Sequence, residues 1–262
     1  MENIITSKDN SAIKLYRKLA DSKKERYELG KFVLEGARLV GDAVNEGAEL
    51  SHLLITESTT DKYENILSQV DLKKVRVIII SNELGIKISS TEKTQGIFAI
   101  CDMPKKLSLS KFLNSGGRYI ILHKLQDPGN VGMIIRTADA VGVNGVVLCE
   151  SCDIFSPKVV RSTMGSIFRM PICWDMDIDD VLSVMDKQGI ETLAAVVDSD
   201  AYDIKNYSFS KNCAVLIGNE GSGLDSDVIQ KCNTPITIKM NGNINSLNAA
   251  MAAGIIMWEL MK

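Results

Sequence analysis

The sequence predicts an α/β protein in two parts, and three observations predict it. From about Arg118 onward, apolar runs at 119–122, 145–149, 192–197, 214–217 and 236–238 alternate with helical stretches. Strands that are apolar along their whole length, separated by helices, indicate a parallel sheet covered on both faces. Before residue 104, runs at 32–34, 52–56, 75–80 and 94–102 also alternate with helical segments, which fits a smaller α/β domain. Between the two, Met103-Pro104-Lys105-Lys106 and the Ser/Lys stretch after it read as a linker. The expected division is therefore 1–104, a linker over 105–117, and 118–262.

Taken in order, the chain opens with a strongly charged helix over 11–28. Phe32-Val33-Leu34 form a strand leading into the helix of ARLVGDAVNEG. HLLIT is the next strand, followed by a helix over about 61–70, then VRVIII and TQGIFAICD as strands. In the second part, Asp127-Pro128 is a clear helix start, with Asp as N-cap and Pro in the first turn. Ser156-Pro157 before KVVRSTMGSIF is another. At the end of the chain, a short strand runs into a Gly/Asn loop, which opens at Ser246-Leu247-Asn248 into a helix rich in Ala and Gly. Polar side chains stand at the mouth of that helix, where unpaired backbone N–H groups also point. Three strand–polar loop–helix segments, 119–141, 214–225 and 236–262, thus begin at strand carboxyl ends, where open parallel sheets bind ligands. The glycines of GNEGSG follow a late strand and lack the GxGxxG spacing of a dinucleotide fold.

Composition narrows the function less. The chain has 262 residues, 45% hydrophobic and 24% charged, ordinary for a globular protein. A net charge of −3 does not advertise a nucleic-acid binder. A local basic face can still coexist with it, and Lys14, Arg17, Lys18, Lys23, Lys24, Arg26 and Lys31 crowd the N-terminus. MENIITSKDN lacks the pattern of a signal peptide, and the apolar run near the C-terminus is too short to span a membrane. The six cysteines include one CxxC, Cys149 and Cys152, with no second pair at zinc spacing. Reduced thiols in a cytoplasmic protein, without metal or membrane, are expected.

The three segments together resemble the motifs of the SpoU/TrmH family of RNA ribose 2′-O-methyltransferases. The first carries Asn130 and Arg136, the second Gly218, Asn219, Glu220 and Gly221, the third Ser246, Leu247 and Asn248. Their order is the family's, and they span about half the chain. FVLEGARLV and STEKTQGIFAI resemble the substrate-binding domain, similar to ribosomal protein L30e, at the front of many ribosomal-RNA members. The resemblance implies an α/β-knot fold, in which the C-terminal helix threads a loop, and a homodimer formed through the knotted region. Ala249, Ala250, Ala252, Ala253 and Gly254 are candidates for that interface, or for tight packing within the chain. It also implies S-adenosylmethionine as cofactor and RNA as partner, 23S ribosomal RNA first. A transfer-RNA enzyme, or a catalytically silent RNA-binding or assembly protein of the same fold, are the alternatives.

The implied chemistry is an in-line transfer of a methyl group to a ribose 2′-hydroxyl, in which alignment is a large part of catalysis. It needs no metal, because the leaving sulfur requires no charge stabilisation. Arg136 corresponds to the family's catalytic arginine. A guanidinium stays protonated, so stabilising the developing alkoxide and holding a phosphate suits it better than acting as a base. On the residues alone it reads first as a helix-surface partner of a residue such as Asp139. Asn130 either orients Arg136 or the ribose, or makes a local turn contact. Glu220 either holds Arg136 or contacts RNA, or is a solvated loop carboxylate. Ser246 and Asn248 arrange the site. Ile217, Gly218, Asn219, Gly221, Ile238, Met240 and Leu247 hold the cofactor. Arg161 and Arg169, with Lys14, Arg17 and Lys18, are candidate RNA contacts. Lys239 stands where the family usually has Pro.

Overall fold

The computed structural model describes residues 4–113, 116–242 and 244–262. Two residues of the expected linker, 114 and 115, and Asn243 of the expected cofactor loop lie outside the described residues. The chain forms two compact units, one of Met1–Pro104 with Phe155–Phe168, the other of Lys105–Ile154 with Arg169–Lys262.

The first unit begins with α1 (Ser11–Asp21) and α2 (Lys23–Leu29). The single helix expected over 11–28 is broken at Ser22, which is extended and caps α2 by accepting from Glu25 N. Then come β1 (Lys31–Glu35), α3 (Ala37–Asn45), β2 (Leu50–Thr56), α4 (Glu64–Leu67), β3 (Arg76–Ile80), α5 (Asn82–Ile88) and β4 (Ile97–Asp102). The helix expected over 61–70 shrinks to a 3₁₀ turn and the single turn of α4. Ser68 Oγ and Gln69 Nε2 both donate to the Asn65 carbonyl, a local side-chain competition that weakens helices. The sheet order is β1-β4-β2-β3, with β4 antiparallel to β1 and β2, and β2 parallel to β3. Ile13, Tyr16 and Leu19 of α1 pack on Val33, Leu54, Ile78, Phe98 and Ile100.

The second unit contains α6 (Leu109–Phe112), β5 (Arg118–His123), α7 (Pro128–Val141) and β6 (Gly145–Cys149). The chain then makes α8 (Pro157–Ser162), which belongs to the first unit. The stretch 118–262, expected from sequence as one domain, thus lends 155–168 to the first compact unit. Phe155 lies 5.0 Å, ring to ring, from Phe32, and Phe168 stacks on the same ring. The aromatic side chains flanking α8 thus bury themselves against β1.

The second unit continues with β7 (Ile172–Met176), α9 (Ile178–Lys187), β8 (Glu191–Ala195), β9 (Tyr202–Asp203), β10 (Cys213–Ile217), α10 (Ser226–Lys231), β11 (Thr234–Thr237) and α11 (Ala249–Leu260). Its sheet order is β7-β6-β5-β10-β8-β11-β9, and every pair is parallel. Strands β7 and β9 were not expected. The apolar run of β7, Ile172-Cys173-Trp174, stops at Asp175, and β9 has only two residues, so each strand is short in sequence. Tyr119, Ile121, Ala214 and Leu216 face a core closed by α6, α9 and α10. Their neighbours Ile120, Leu122, Val215 and Ile217 are buried too. α7 and α11 pack on one another and bury Val131, Ile134, Ile135, Ala253, Ile256 and Met257. After β5 the chain steps outward to β6 and β7, and β10 returns to pair on β5's other edge. The β5/β10 boundary is therefore a topological switch point, the place where such sheets bind ligands.

Candidate active site at the β5/β10 switch point

Beside the switch point, over the carboxyl ends of β10, β8 and β11, opens a cavity of about 560 Å³, within the range of small-ligand sites. The loop after β10 forms one wall, with Ile217, Gly218, Asn219, Glu220 and Gly221. The segment after β11 forms another, with Ile238, Met240, Ser246 and Leu247. The structure thus gathers every residue that the sequence assigned to the cofactor. It adds a wall that the sequence reading missed, Ala195, Val196, Val197 and Asp198 at the end of β8. The available signal was position alone: β8 is a parallel strand, and its carboxyl end faces the same way.

The β10 loop closes on itself. Asn219 and Gly223 exchange two backbone hydrogen bonds, at 3.0 and 2.9 Å. Asn219 Oδ1 accepts from the N–H groups of Gly221 and Ser222. A Cβ built at Gly218 would fall on the Gly223 carbonyl and the Leu224 amide, so the turn needs glycine there.

A polar chain links all three segments. Glu220 accepts from Asp127 N at 3.0 Å, Gln126 N at 3.2 Å and Asn130 Nδ2 at 3.1 Å. Asn130 Oδ1 accepts from Asn248 Nδ2 at 3.0 Å. Asn248 Oδ1 caps α11 by accepting from Ala250 N and Met251 N. Each amide thus has its donor and acceptor used in one orientation. Glu220 does not hold Arg136. It sits at the N-terminus of α7, where N–H groups and the helix dipole favour a carboxylate. Burial pushes the Glu220 carboxyl up, but the N–H groups of Asp127 and Gln126 and the Asn130 amide outweigh it, and it stays below its usual range. A carboxylate so engaged is a poor base. Asn130, likewise, bonds to Glu220 and Asn248 and makes no bond to Arg136 of its own chain.

Arg136 lies two turns along α7, about 9 Å further by helical rise. It is exposed, does not line the cavity, and has no hydrogen bond or ion pair among the described residues. The surface pairing with Asp139 is not made, since Asp139 accepts from Arg169 Nε at 3.1 Å. The same bond engages Arg169, which was expected to be open to phosphate. Arg161 donates to Ser90 Oγ at 2.6 Å and, with Arg38 and Lys93, lines a small cavity of the first unit. Lys14 pairs with Asp9 and Lys18 with Glu25, while Arg17 is exposed. Arg26 is no part of a basic face: it is buried and donates to the Leu19 and Ala20 carbonyls. Lys31 is paired with Asp102. Lys239 is exposed beside the cavity.

The alanine face of α11 is used within the chain. Ala250 and Ala253 are buried, and Ala249 and Ala252 line the cavity. On α7 and α11, Met133, Met251 and Trp258 are large apolar groups left exposed. Met133 and Arg136 share one exposed face of α7. The CxxC makes no site among the described residues: Cys149 is buried, and burial pushes the Cys152 thiol up to about 11.

Known proteins complete the picture. The model of the SpoU rRNA Methylase family matches residues 117–258. The chain belongs to this family. An MRM3-like substrate binding domain matches residues 10–99 of this SpoU-family chain. The 23S rRNA (guanosine(2553)-2′-O)-methyltransferase RlmP of Bacillus subtilis is 29% identical, over 98% of this chain and 98% of its own. A 23S rRNA (uridine(2479)-2′-O)-methyltransferase of Streptomyces viridochromogenes is 28% identical, over 98% and 91%. The crystal structure of an AdoMet-bound rRNA methyltransferase from Sinorhizobium meliloti superposes with a TM-score of 0.88, at 30% identity over 98% and 97%.

Proposed function

We propose that this SpoU-family protein transfers a methyl group from S-adenosylmethionine to a ribose 2′-hydroxyl of 23S ribosomal RNA. The observation that carries the reading is the cavity over the ends of β8, β10 and β11, with its self-closed Gly218–Leu224 loop and the Glu220–Asn130–Asn248 chain beside it. The residues fit the cofactor. Aliphatic walls from Val196, Ile217, Ile236 and Ile238 suit an adenine face, and the glycines at 218 and 221 let backbone groups approach its edge. Asp198 and Glu220 place negative charge on the walls of a site for a cationic ligand. The cofactor, when bound, supplies an electrophilic methyl group with a good leaving sulfur. Glu220, Asn130 and Asn248 hold the three loops in register, and Ser246 stands at the mouth.

Arg136 stabilises the developing alkoxide of the 2′-oxygen and holds an adjacent phosphate. Since Arg136 does not line its own chain's cavity, the protein acts as a homodimer in which Arg136 serves the partner's cavity. The exposed Met133, Met251 and Trp258 supply the apolar interface. Arg161, with Arg38 and Lys93, and the α1 residues Lys14, Arg17 and Lys18 contact RNA phosphates. Exposed ion pairs such as Lys14–Asp9 are weak enough for RNA to displace. Acting on ribosomal RNA, the protein works in the cytoplasm.

Calorimetry with S-adenosylhomocysteine tests the cofactor assignment. One site per chain is expected, lost when the 217–221 wall is disrupted. A folded protein that binds none contradicts it.

A further inference from the structure

Beside the cavity, three titratable side chains converge from two loops. His123 ends β5 and is 1% exposed. Lys124 follows it, and Asp225 stands between the β10 loop and α10. Lys124 Nζ donates to Asp225 Oδ2 at 2.6 Å, and His123 Nε2 lies 3.4 Å from the same oxygen. The His123 Nδ1 is buried and lacks a partner among the described residues, so Nε2 is the ring nitrogen that reaches Asp225.

This arrangement forgoes three favourable local choices. An Asp at a helix N-cap ordinarily accepts from an N–H of the first turn. Asp225 makes no such bond, and its carboxylate turns back toward β5. Lys124 has φ 59°, in the left-handed region that a residue with a Cβ seldom adopts. His123 leaves a buried nitrogen unpaired.

Together they tie down the cofactor loop at both ends. The backbone of Lys124 presents its carbonyl to Asn219, whose Nδ2 donates to it at 2.8 Å. The Lys124 ammonium holds Asp225, six residues further on. Gly221, Ser222, Gly223 and Leu224, all on the cavity wall, lie between these two anchors. The Lys124 ammonium, and then His123, hold the Asp225 carboxyl below its usual range, so the anchor is charged near neutral pH.

We propose that Lys124, Asp225 and His123 form a clamp that fixes the 219–225 loop in its cofactor-binding shape, with Lys124 and Asp225 as positioning residues. The proposal rests on the S-adenosylmethionine reading of the cavity.

Asp225→Asn and Lys124→Met test it. Asp225 makes no side-chain cap bond to α10, so its replacement by Asn takes no cap from that helix. Each variant should bind S-adenosylhomocysteine about tenfold more weakly, the order of one charge-assisted hydrogen bond. The KM for S-adenosylmethionine should rise alike, while single-turnover transfer at saturation changes far less. The double variant should be no worse than either single one, because both break the same contact. Asp179→Asn removes the 2.6 Å pair that holds Lys231 of α10 from its other side, and should leave affinity unchanged. Wild-type affinity in both single variants, or losses that multiply in the double, would overturn the clamp. So would lowered melting temperatures with unchanged affinity. Failure of the wild type itself to bind would overturn the cofactor reading instead.

Discussion

Replacing Arg136 with alanine lowers methyl transfer at saturating RNA and cofactor by about 10²–10³-fold, the contribution of one oxyanion-type donor. The structure sharpens this expectation. Arg136 is exposed and makes no hydrogen bond or ion pair among the described residues, so its removal costs the fold little. Asp139, the surface partner available to it, is already engaged by Arg169. Affinity for S-adenosylhomocysteine should hardly change, because Arg136 lines no part of its own cavity. Arg136→Lys should also be poor, since an ammonium lacks the planar fork that holds ribose and phosphate together. Light scattering should give twice the 28.7 kDa chain mass. Co-expression with a chain defective in the cofactor loop then tests where Arg136 acts. A heterodimer of the two carries one composite site with both parts intact, so it should keep about half of wild-type activity. Inactive heterodimers, an active monomer, or an alanine variant at near-wild-type rate would contradict the assignment.

Gly218→Ala should weaken S-adenosylhomocysteine binding by about ten- to a hundredfold, the usual range when a close-packed site is overfilled. The added methyl would meet backbone, the Gly223 carbonyl and the Leu224 amide, and not a side chain that can swing aside. The loop must open, breaking the paired bonds between Asn219 and Gly223. Because the turn lies beyond the end of β10 and its tip is exposed, melting should shift less than affinity. Gly221→Ala is the matched control: φ is not left-handed there, and the nearest atom to its Cβ is Asn219 Oδ1 at 3.6 Å. It should be far milder. Equal effects of the two substitutions on affinity would contradict the account of the loop.

The parallel sheet was legible because its central strands are apolar on both faces, a pattern that 119–122, 145–149 and 214–217 show without interruption. The cavity was legible for a related reason. Its residues follow strands directly, so finding the strands found the loops. What the sequence hid was long-range. Nothing local says that Glu220 reaches the start of α7, 93 positions earlier, in preference to an arginine. The partner of Asp139 is Arg169 and not its near neighbour Arg136, because the fold brings the turn before β7 beside α7. The 155–168 segment reads as one more helix of the second part, and its packing on β1 depends on Phe32, Phe155 and Phe168 meeting. The alanines of α11 look alike in sequence, and only burial divides them between core and cavity. Strand β8's contribution to the cavity likewise depends on sheet order.

The most direct test is to incubate the protein with protein-free 23S ribosomal RNA and S-adenosylmethionine carrying a deuterated methyl group, then digest the RNA to nucleosides for mass spectrometry. The account predicts a single labelled 2′-O-methyl nucleoside, dependent on Arg136 and on the Gly218 loop. Label on a base, or no label in RNA from a preparation shown to bind the cofactor, would contradict it.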